Sequence, residues 1–200
     1  LFCENKHYNY LSFANSAYQV SHYLHRLECS QIIERVAVLS DRSFVSYAAV
    51  MGVLWAGYSY IPLVASQPIE HLKQRIIKAD IQVLLVDQAG KKRLAELALD
   101  PSIKVCLLTQ QTSDCDEQVP VTDDFIDEAL VLLPDLDTKL TPPKPVNADT
   151  VAYIIFTSGS TGEPKGCAPS YYQVASFTDA MTQDFQFECA DRFAQFCELA

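Results

Sequence analysis

The chain has 200 residues, of which 49% are hydrophobic and 20% charged, and its formal net charge is −10. This balance predicts a folded domain, or a part of a larger one, and excludes a disordered segment. The acidic charge argues against binding nucleic acid across a basic face, so any contact with phosphate must come from a few placed donors.

The secondary-structure elements are predicted in chain order from the spacing of apolar residues. Apolar residues recur at steps of three and four from Phe13 to Leu27, which predicts a helix. Further along, short apolar runs predict buried strands, and periodic or proline-initiated segments predict helices between them. These are a strand at 35–39, a helix at 44–56, a strand at 58–62, a helix from Pro68, a strand at 81–86, a short helix at 91–99 and a strand at 103–108.

The alternation of apolar strands with helices predicts an α/β fold, in which helices cover both faces of a parallel sheet. Two stretches, the polar 110–119 and the proline-rich 134–149, are predicted to be irregular connections. A last strand at 151–156 leads into a segment rich in glycine and hydroxyl side chains. The chain is therefore expected to place that segment at the end of a parallel strand.

One segment imitates a membrane span, because no charged residue lies between Ser43 and Ile69. A helix at 44–56 rises only about 20 Å, which is less than the roughly 30 Å of a bilayer's hydrocarbon core. The segment therefore predicts a buried helix followed by a buried strand. The N-terminus lacks a basic region followed by an apolar run, so no secretion signal is predicted. Leu1 in place of Met suggests that the upstream sequence is missing or has been processed.

The cysteines are scattered, form no CxxC pair and are odd in number, and no histidine follows His71. A zinc site or a disulfide framework is therefore less favoured than free thiols in a reducing cytoplasm. The seven cysteines are Cys3, Cys29, Cys106, Cys115, Cys167, Cys189 and Cys197.

The segment TSGSTGEPKG, residues 157–166, predicts an anion-binding loop. Its glycines permit positive φ, at which successive amide N–H groups can point at one anion. Its hydroxyls are donors that can also reach a magnesium ion, and Lys165 adds a positive charge. Glu163 would repel phosphate, so we expect it on the solvent side of the loop. The glycines are Gly159, Gly162 and Gly166, and the hydroxyl residues are Thr157, Ser158, Ser160 and Thr161.

Other loop motifs do not fit this segment. The phosphate loop GxxxxGK[ST] fails because Pro164 precedes Lys165 and Gly166 follows it, and GxGxxG is absent. The nucleophile elbow GxSxG fails at its first position, since Ser158 stands two residues before Ser160. A flexible Ser/Gly linker is the remaining alternative, but the strand before the loop and the Pro-Lys-Gly after it favour phosphate binding.

The segment YIIFTSGSTGEPKG, residues 153–166, resembles the signature loop of the adenylate-forming superfamily. This superfamily includes the amino-acid adenylation domains of peptide synthetases, the acyl-CoA synthetases and the luciferases. Residues 54–63 (LWAGYSYIPL) are similar to an upstream family motif, and residues 191–196 (DRFAQF) to the strand region after the loop. The resemblance therefore covers nearly the whole chain.

This resemblance implies that residues 1–200 are the N-terminal portion of the large domain of an adenylate-forming enzyme. In that reaction a carboxylate attacks the α-phosphate of ATP, giving an acyl-adenylate and pyrophosphate, and a thiol then takes the acyl group. The implied cofactors are ATP and Mg²⁺. The implied partners are the carboxylate and either the phosphopantetheine thiol of a carrier protein or CoA, with no nucleic acid and no membrane span.

The resemblance also assigns roles within the loop. It implies catalytic roles for Lys165 and Thr161, with the Thr161 hydroxyl as a magnesium ligand. The implied nucleotide contacts are Thr157, Ser158, Gly159, Ser160, Thr161, Gly162, Lys165 and Gly166.

Three positions depart from the family pattern. Val64 stands where an Asp usually follows Pro-Leu, Cys167 where many relatives have an apolar residue, and Tyr171 where many have a His. A Tyr keeps a hydrogen-bonding tip but does not titrate near neutral pH. None of these changes touches the phosphate loop itself.

The activated carboxylate is expected to be an amino acid, because residues 153–156 and 191–196 look more like peptide-synthetase domains than fatty acyl-CoA ligases. The alternatives are an acyl-CoA or acyl-carrier-protein ligase and, in another class, a non-catalytic nucleotide-binding remnant. The family's acyl pocket, its adenine and ribose contacts and its C-terminal catalytic lysine would all follow Ala200. The 200 residues alone are therefore not expected to catalyse adenylation.

Overall fold

The structure is a computed structural model. It describes residues 1–28, 32–110, 124–134, 139–158, 163–188 and 190–194. The helices are α1 Tyr10–Glu28, α2 Phe44–Trp55, α3 Ile69–Ala79, α4 Gln88–Lys91, α5 Leu94–Leu97 and α6 Tyr171–Phe185. The strands are β1 Phe2–Cys3, β2 Lys6–His7, β3 Arg35–Ser40, β4 Ser59–Val64, β5 Val83–Val86, β6 Lys104–Gln110, β7 Glu128–Leu132, β8 Ile155–Ser158 and β9 Pro164–Cys167.

The main sheet has five parallel strands in the order β4-β3-β5-β6-β7. In the centre, Val36 of β3 pairs with Tyr60 of β4 on one side and with Val83 of β5 on the other. All four residues of β5 are buried, as expected for a strand that is covered on both faces. The predicted α/β fold with a parallel sheet is confirmed.

Helices cover both faces of this sheet. Successive side chains of a strand point to opposite faces, so each strand contributes to both buried clusters. On one face, Val36 and Val38 of β3 join a buried cluster with residues of α1 and α2, including Leu24 and Val53. On the other face, a second buried cluster joins the sheet to α3 and α5. Its members include Ala37, Leu39, Leu84, Val86, Leu72, Ile76, Leu94 and Leu97.

The apolar segment after Ser43 is a buried helix followed by a strand, as predicted. The backbone N–H of Gly57 donates to Leu54 O (3.0 Å), and that of Tyr58 donates to Val53 O (3.1 Å). These two bonds end α2 in the turn that requires a left-handed residue, and Gly57 has φ +81°. No helix in the described ranges is both long and apolar enough to cross a membrane.

Several predicted boundaries were wrong. The short helix expected at 91–99 is two single turns, α4 and α5, because the carboxylate of Asp87 caps a helix that begins at Gln88. Edge strand β7 was not predicted, nor was the β1–β2 hairpin. The segment at 110–119 lies outside the described residues except for Gln110, which ends β6.

The proline-rich segment has neither helix nor strand in its described part, which is Pro134 and residues 139–149, but hydrogen bonds fasten it to α2. The indole N–H of Trp55 donates to Thr141 O (3.0 Å), and the Lys144 N–H donates to Trp55 O (2.9 Å). The Lys144 ammonium also pairs with Glu28 at 3.2 Å. The chain therefore crosses the end of α2 in a defined position before it reaches residue 151.

The crevice between the carboxyl ends of β3 and β5 is where the order of the strands reverses, a position that often binds ligands in α/β sheets. Here the buried carboxylate of Asp87 fills it. Oδ2 accepts from Asp41 N (3.2 Å) and Ser43 Oγ (3.0 Å), and Oδ1 accepts from Ala89 N (3.0 Å) and Gly90 N (2.9 Å). Asp87 thus joins the loops after the two strands.

Candidate functional site

The chain enters the candidate site along the free edge of β4. Tyr60 N donates to Ala152 O (3.2 Å), and Ile154 N donates to Tyr60 O (3.0 Å), which makes a short parallel bridge at Tyr153. The predicted strand at 151–156 is therefore wrong as one continuous element. After this bridge the chain leaves the main sheet, and Ile155 begins the antiparallel β8–β9 hairpin.

The two faces of the β8–β9 hairpin differ, because residues directly opposite each other in an antiparallel pair share a face. Phe156 pairs with Gly166, and Phe156 is 9% exposed within the buried cluster on the α3 side of the sheet. Thr157 pairs with Lys165, and both are exposed. The hairpin therefore buries its Phe156 face and turns its Thr157–Lys165 face to solvent.

Gly166 serves close packing. A Cβ at this position would lie 3.1 Å from Ile154 Cγ2 and 3.4 Å from the Phe156 ring. Its φ lies outside the left-handed region, in contrast to Gly57. Gly166 therefore does not use the positive φ that a glycine permits, and its lack of a side chain allows β9 to lie close against Phe156.

The structure brings together part of the predicted site. Thr157, Ser158, Lys165 and Gly166 lie on the facing strands of the hairpin, beside the segment that connects them. The Thr157 hydroxyl donates to Lys165 O over 3.4 Å. The other predicted residues, Gly159, Ser160, Thr161 and Gly162, lie outside the described residues.

Glu163 is exposed, which confirms its expected position on the solvent side. Its carboxylate accepts a hydrogen bond from Lys78 Nζ at 2.8 Å, and that bond together with the charge of Lys78 lowers the pKa of Glu163. Lys78 Nζ also donates to Pro164 O (3.3 Å). Sequence analysis missed Lys78, because it lies 85 positions from Glu163 and nothing in its own segment marks it.

The exit of the hairpin is held by α6. Ser170 forms a capping box with Gln173 at the start of this helix. The Tyr171 hydroxyl reaches Leu54 O (3.4 Å) and Tyr58 O (3.5 Å) at the end of α2. Burial, and secondarily the neighbouring Tyr60, raises the pKa of Tyr171 to about 12. Tyr171 therefore stays neutral near pH 7 and anchors the exit by hydrogen bonding.

A separate cavity of about 400 Å³ lies at the carboxyl ends of β3 and β4. Its wall includes Val38 and Pro62, with Asp41 and Arg42 among its polar residues. None of the predicted site residues lines it. Within the described ranges no three His, Cys, Asp or Glu side chains cluster closely enough to hold a metal ion, and the described cysteines Cys3, Cys106 and Cys167 are unpaired.

Relatives among curated proteins are synthetases and ligases. The nonribosomal peptide synthetase vlms of Lecanicillium sp is 29% identical over 188 residues, covering 89% of this chain and 2% of that protein. The antimetabolite synthetase AmbB of Pseudomonas aeruginosa is 31% identical over 72% of this chain and 10% of its own length. A D-alanine–D-alanyl carrier protein ligase of Listeria welshimeri is 29% identical over 79% of this chain and 27% of its own.

Solved structures share the fold. The Vibrio cholerae adenylation domain AlmE, in complex with glycyl-adenosine-5′-phosphate, matches with a TM-score of 0.77 and 25% identity, over 98% of this chain and 37% of that chain. The nonribosomal peptide synthetase FmoA3 in its AMPPNP-bound form matches with a TM-score of 0.64 and 25% identity, over 94% of this chain and 17% of that chain.

The chain corresponds to only a part of each curated relative. The chain spans from 2% to 27% of the length of the three curated relatives described above. The family described as AMP-binding enzyme matches residues 1–200, which is the whole chain. The chain therefore belongs to the AMP-binding enzyme family.

Proposed function

We propose that this chain supplies the phosphate-binding hairpin of an ATP-dependent ligase that activates an amino acid as its acyl-adenylate for transfer to a carrier thiol. The observation that carries the proposal is the two-faced β8–β9 hairpin. Phe156 fixes it to the core, and Thr157 and Lys165 face solvent together beside the Gly-Ser-Thr-Gly segment. A rigid support with donors on its open face suits electrostatic stabilisation of phosphate.

In the proposed first step, a carboxylate oxygen bonds to the α-phosphorus of ATP. The bond from that phosphorus to the bridging oxygen breaks, and pyrophosphate leaves with the negative charge. Lys165 and the loop N–H groups stabilise this developing charge, with Thr157, Ser158 and Ser160 as hydroxyl donors. In the second step a thiolate attacks the acyl carbonyl, and AMP leaves.

A magnesium ion is proposed to accompany ATP. Magnesium in such sites takes most of its oxygens from phosphates and water and only one or two from the protein. Thr161 is the proposed protein hydroxyl, while the carboxylate of Glu163, two positions later in the sequence, accepts a hydrogen bond from Lys78. When bound, the ion neutralises charge on the phosphate oxygens.

The choice of an amino acid and a carrier thiol rests on the named relatives. Two are peptide or antimetabolite synthetases, one is a ligase for D-alanine and its carrier protein, and the AlmE structure holds glycyl-adenylate. We further propose residues 1–200 as the N-terminal portion of an adenylation domain, with 134–149 as the connection before the phosphate hairpin. Because the reaction uses ATP and a reduced thiol, the proposed compartment is the cytoplasm.

ATP–pyrophosphate exchange in the full-length protein tests the proposal, with the common amino acids and a set of fatty acids as substrates. Lys165→Ala is expected to lower kcat/KM by about 10²–10³-fold, the usual effect of losing one donor to a developing oxyanion. Lys73→Ala is the matched control, because Lys73 forms an exposed ion pair with Glu70 on α3. Unchanged exchange in a folded Lys165→Ala protein would show that Lys165 takes no part in the reaction. Exchange with fatty acids alone would show that the activated carboxylate is a fatty acid and not an amino acid.

A further inference from the structure

Lys78 holds the start of β9 against the body of the protein. Among the described residues, both polar contacts that join residues 163–167 to an element outside the hairpin come from its ammonium group, one to the Glu163 carboxylate (2.8 Å) and one to Pro164 O (3.3 Å). Lys78 lies in the last turn of α3, and the neighbouring Ile76 and Ala79 are buried in the core. The ammonium is therefore presented from a rigid element.

Without Lys78, Glu163 would have another partner close by. Glu163 and Lys165 are two positions apart, so their backbones lie within about 7 Å, and both side chains are long and exposed. Within the described part of the chain, Lys165 has no ion-pair partner. Glu163 bound to Lys165 would direct that ammonium away from an incoming phosphate and cancel its charge.

We propose that Lys78 is a positioning residue for the phosphate-binding hairpin, which holds Glu163 aside so that Lys165 remains available to the polyphosphate of the nucleotide. This inference rests on the proposed function. The ion pair adds little to the free energy of unfolding, because the side chains of Lys78 and Glu163 are 38% and 77% exposed and exposed ion pairs contribute little to stability. We infer that the pair acts by keeping the Glu163 carboxylate bound to Lys78 and away from Lys165.

The test measures kcat/KM for MgATP in ATP–pyrophosphate exchange by the full-length protein at low ionic strength. Lys78→Ala is expected to lower this value about two- to fivefold, within the range of an exposed ion pair, and to leave the KM for the carboxylate unchanged. Lys78→Met should act like Lys78→Ala, because it keeps most of the stem and removes the charge. Lys78→Arg should retain wild-type exchange.

The deciding variant is the double change Lys78→Ala with Glu163→Gln. If Lys78 acts by holding Glu163, removing the Glu163 charge restores kcat/KM for MgATP. If Lys78 only anchors β9, the double variant stays as low as Lys78→Ala, and the inference is wrong. Added salt should reduce the difference in kcat/KM for MgATP between Lys78→Ala and the wild-type protein, because salt screens the interactions of exposed charges.

Lys73→Ala, on the same helix and paired with Glu70 at 3.4 Å, is the matched control and should exchange as wild type does. Melting temperatures of all variants are expected to agree, which separates positioning from folding. If Lys78→Ala has the same kcat/KM for MgATP as the wild-type protein, this inference is wrong and the proposed function is unaffected. A wild-type protein that exchanges no pyrophosphate with any carboxylate overturns the proposed function.

Discussion

Thr157 and Lys165 lie directly opposite each other across the β8–β9 hairpin, and the Thr157 hydroxyl is 3.4 Å from the Lys165 carbonyl oxygen. This pairing puts a hydroxyl and an ammonium group on one exposed face. On the other face, Phe156 is buried against the sheet. The same two strands therefore fix the hairpin to the core on one face and expose polar groups to solvent on the other.

Thr157→Val should weaken the use of ATP. The change removes the hydroxyl but keeps the branched shape, and a hydrogen bond to a charged group typically contributes about 1.5–3 kcal/mol. We expect kcat/KM for MgATP in pyrophosphate exchange to fall by roughly 10-fold or more. Thr157→Ser, which keeps the hydroxyl, should stay near wild type. Equal activity of the Val and Ser variants would show that Thr157 does not contact the nucleotide.

Gly166→Ala should destabilise the hairpin, because the new Cβ would lie 3.1 Å from Ile154 Cγ2. Overpacking of this kind costs about 1–3 kcal/mol, which urea unfolding will report as a lower midpoint. Cys167→Ala is the control. Cys167 is the next residue along β9 and is exposed, so removing its thiol should leave the unfolding midpoint unchanged. An unchanged midpoint for Gly166→Ala would mean that β9 shifts freely away from Phe156.

Asp87→Ala should cost roughly 2–4 kcal/mol of unfolding free energy, because it removes a helix cap and leaves buried donors without an acceptor. Asp87→Asn should lose less, since its one amide oxygen can still accept from one of the two loops. Urea unfolding gives both values. Asp149→Ala, at an exposed position, is the control. Equal losses for Ala and Asn would contradict separate roles for the two carboxylate oxygens.

Stability should decrease at alkaline pH in part through Tyr171. Burial raises its pKa in the folded protein to about 12, whereas an unfolded tyrosine titrates near pH 10. The unfolded state therefore loses its proton first, so this contribution is complete below about pH 10 and is lost as the pH rises through about 12. Tyr171→Phe should flatten the fall in unfolding free energy between these limits. Parallel curves for the two proteins would show that Tyr171 titrates normally.

Sequence patterns predicted the elements whose signal is local. The apolar runs of β3, β5 and β6 and the periodic spacing of α1 and α3 were sufficient to predict a parallel sheet between helices. The order of glycines, hydroxyls and lysine also marked residues 157–166 as the segment predicted to bind phosphate, since this pattern lies within ten consecutive residues. Edge strand β7 was missed because half-buried residues next to acidic ones give a weak periodic signal.

The sequence by itself determined the α/β elements and the donors of the loop, because backbone preference and amphipathic spacing act between near neighbours. Tertiary structure alone decided that Phe156 is buried while Thr157 and Lys165 stay exposed, and that Gly166 lies close to Ile154 and Phe156. It also decided that Asp87 joins the loops after β3 and β5, and that Lys78 meets Glu163. These contacts join residues far apart in the chain, so they exist only once the sheet has set which segments lie side by side.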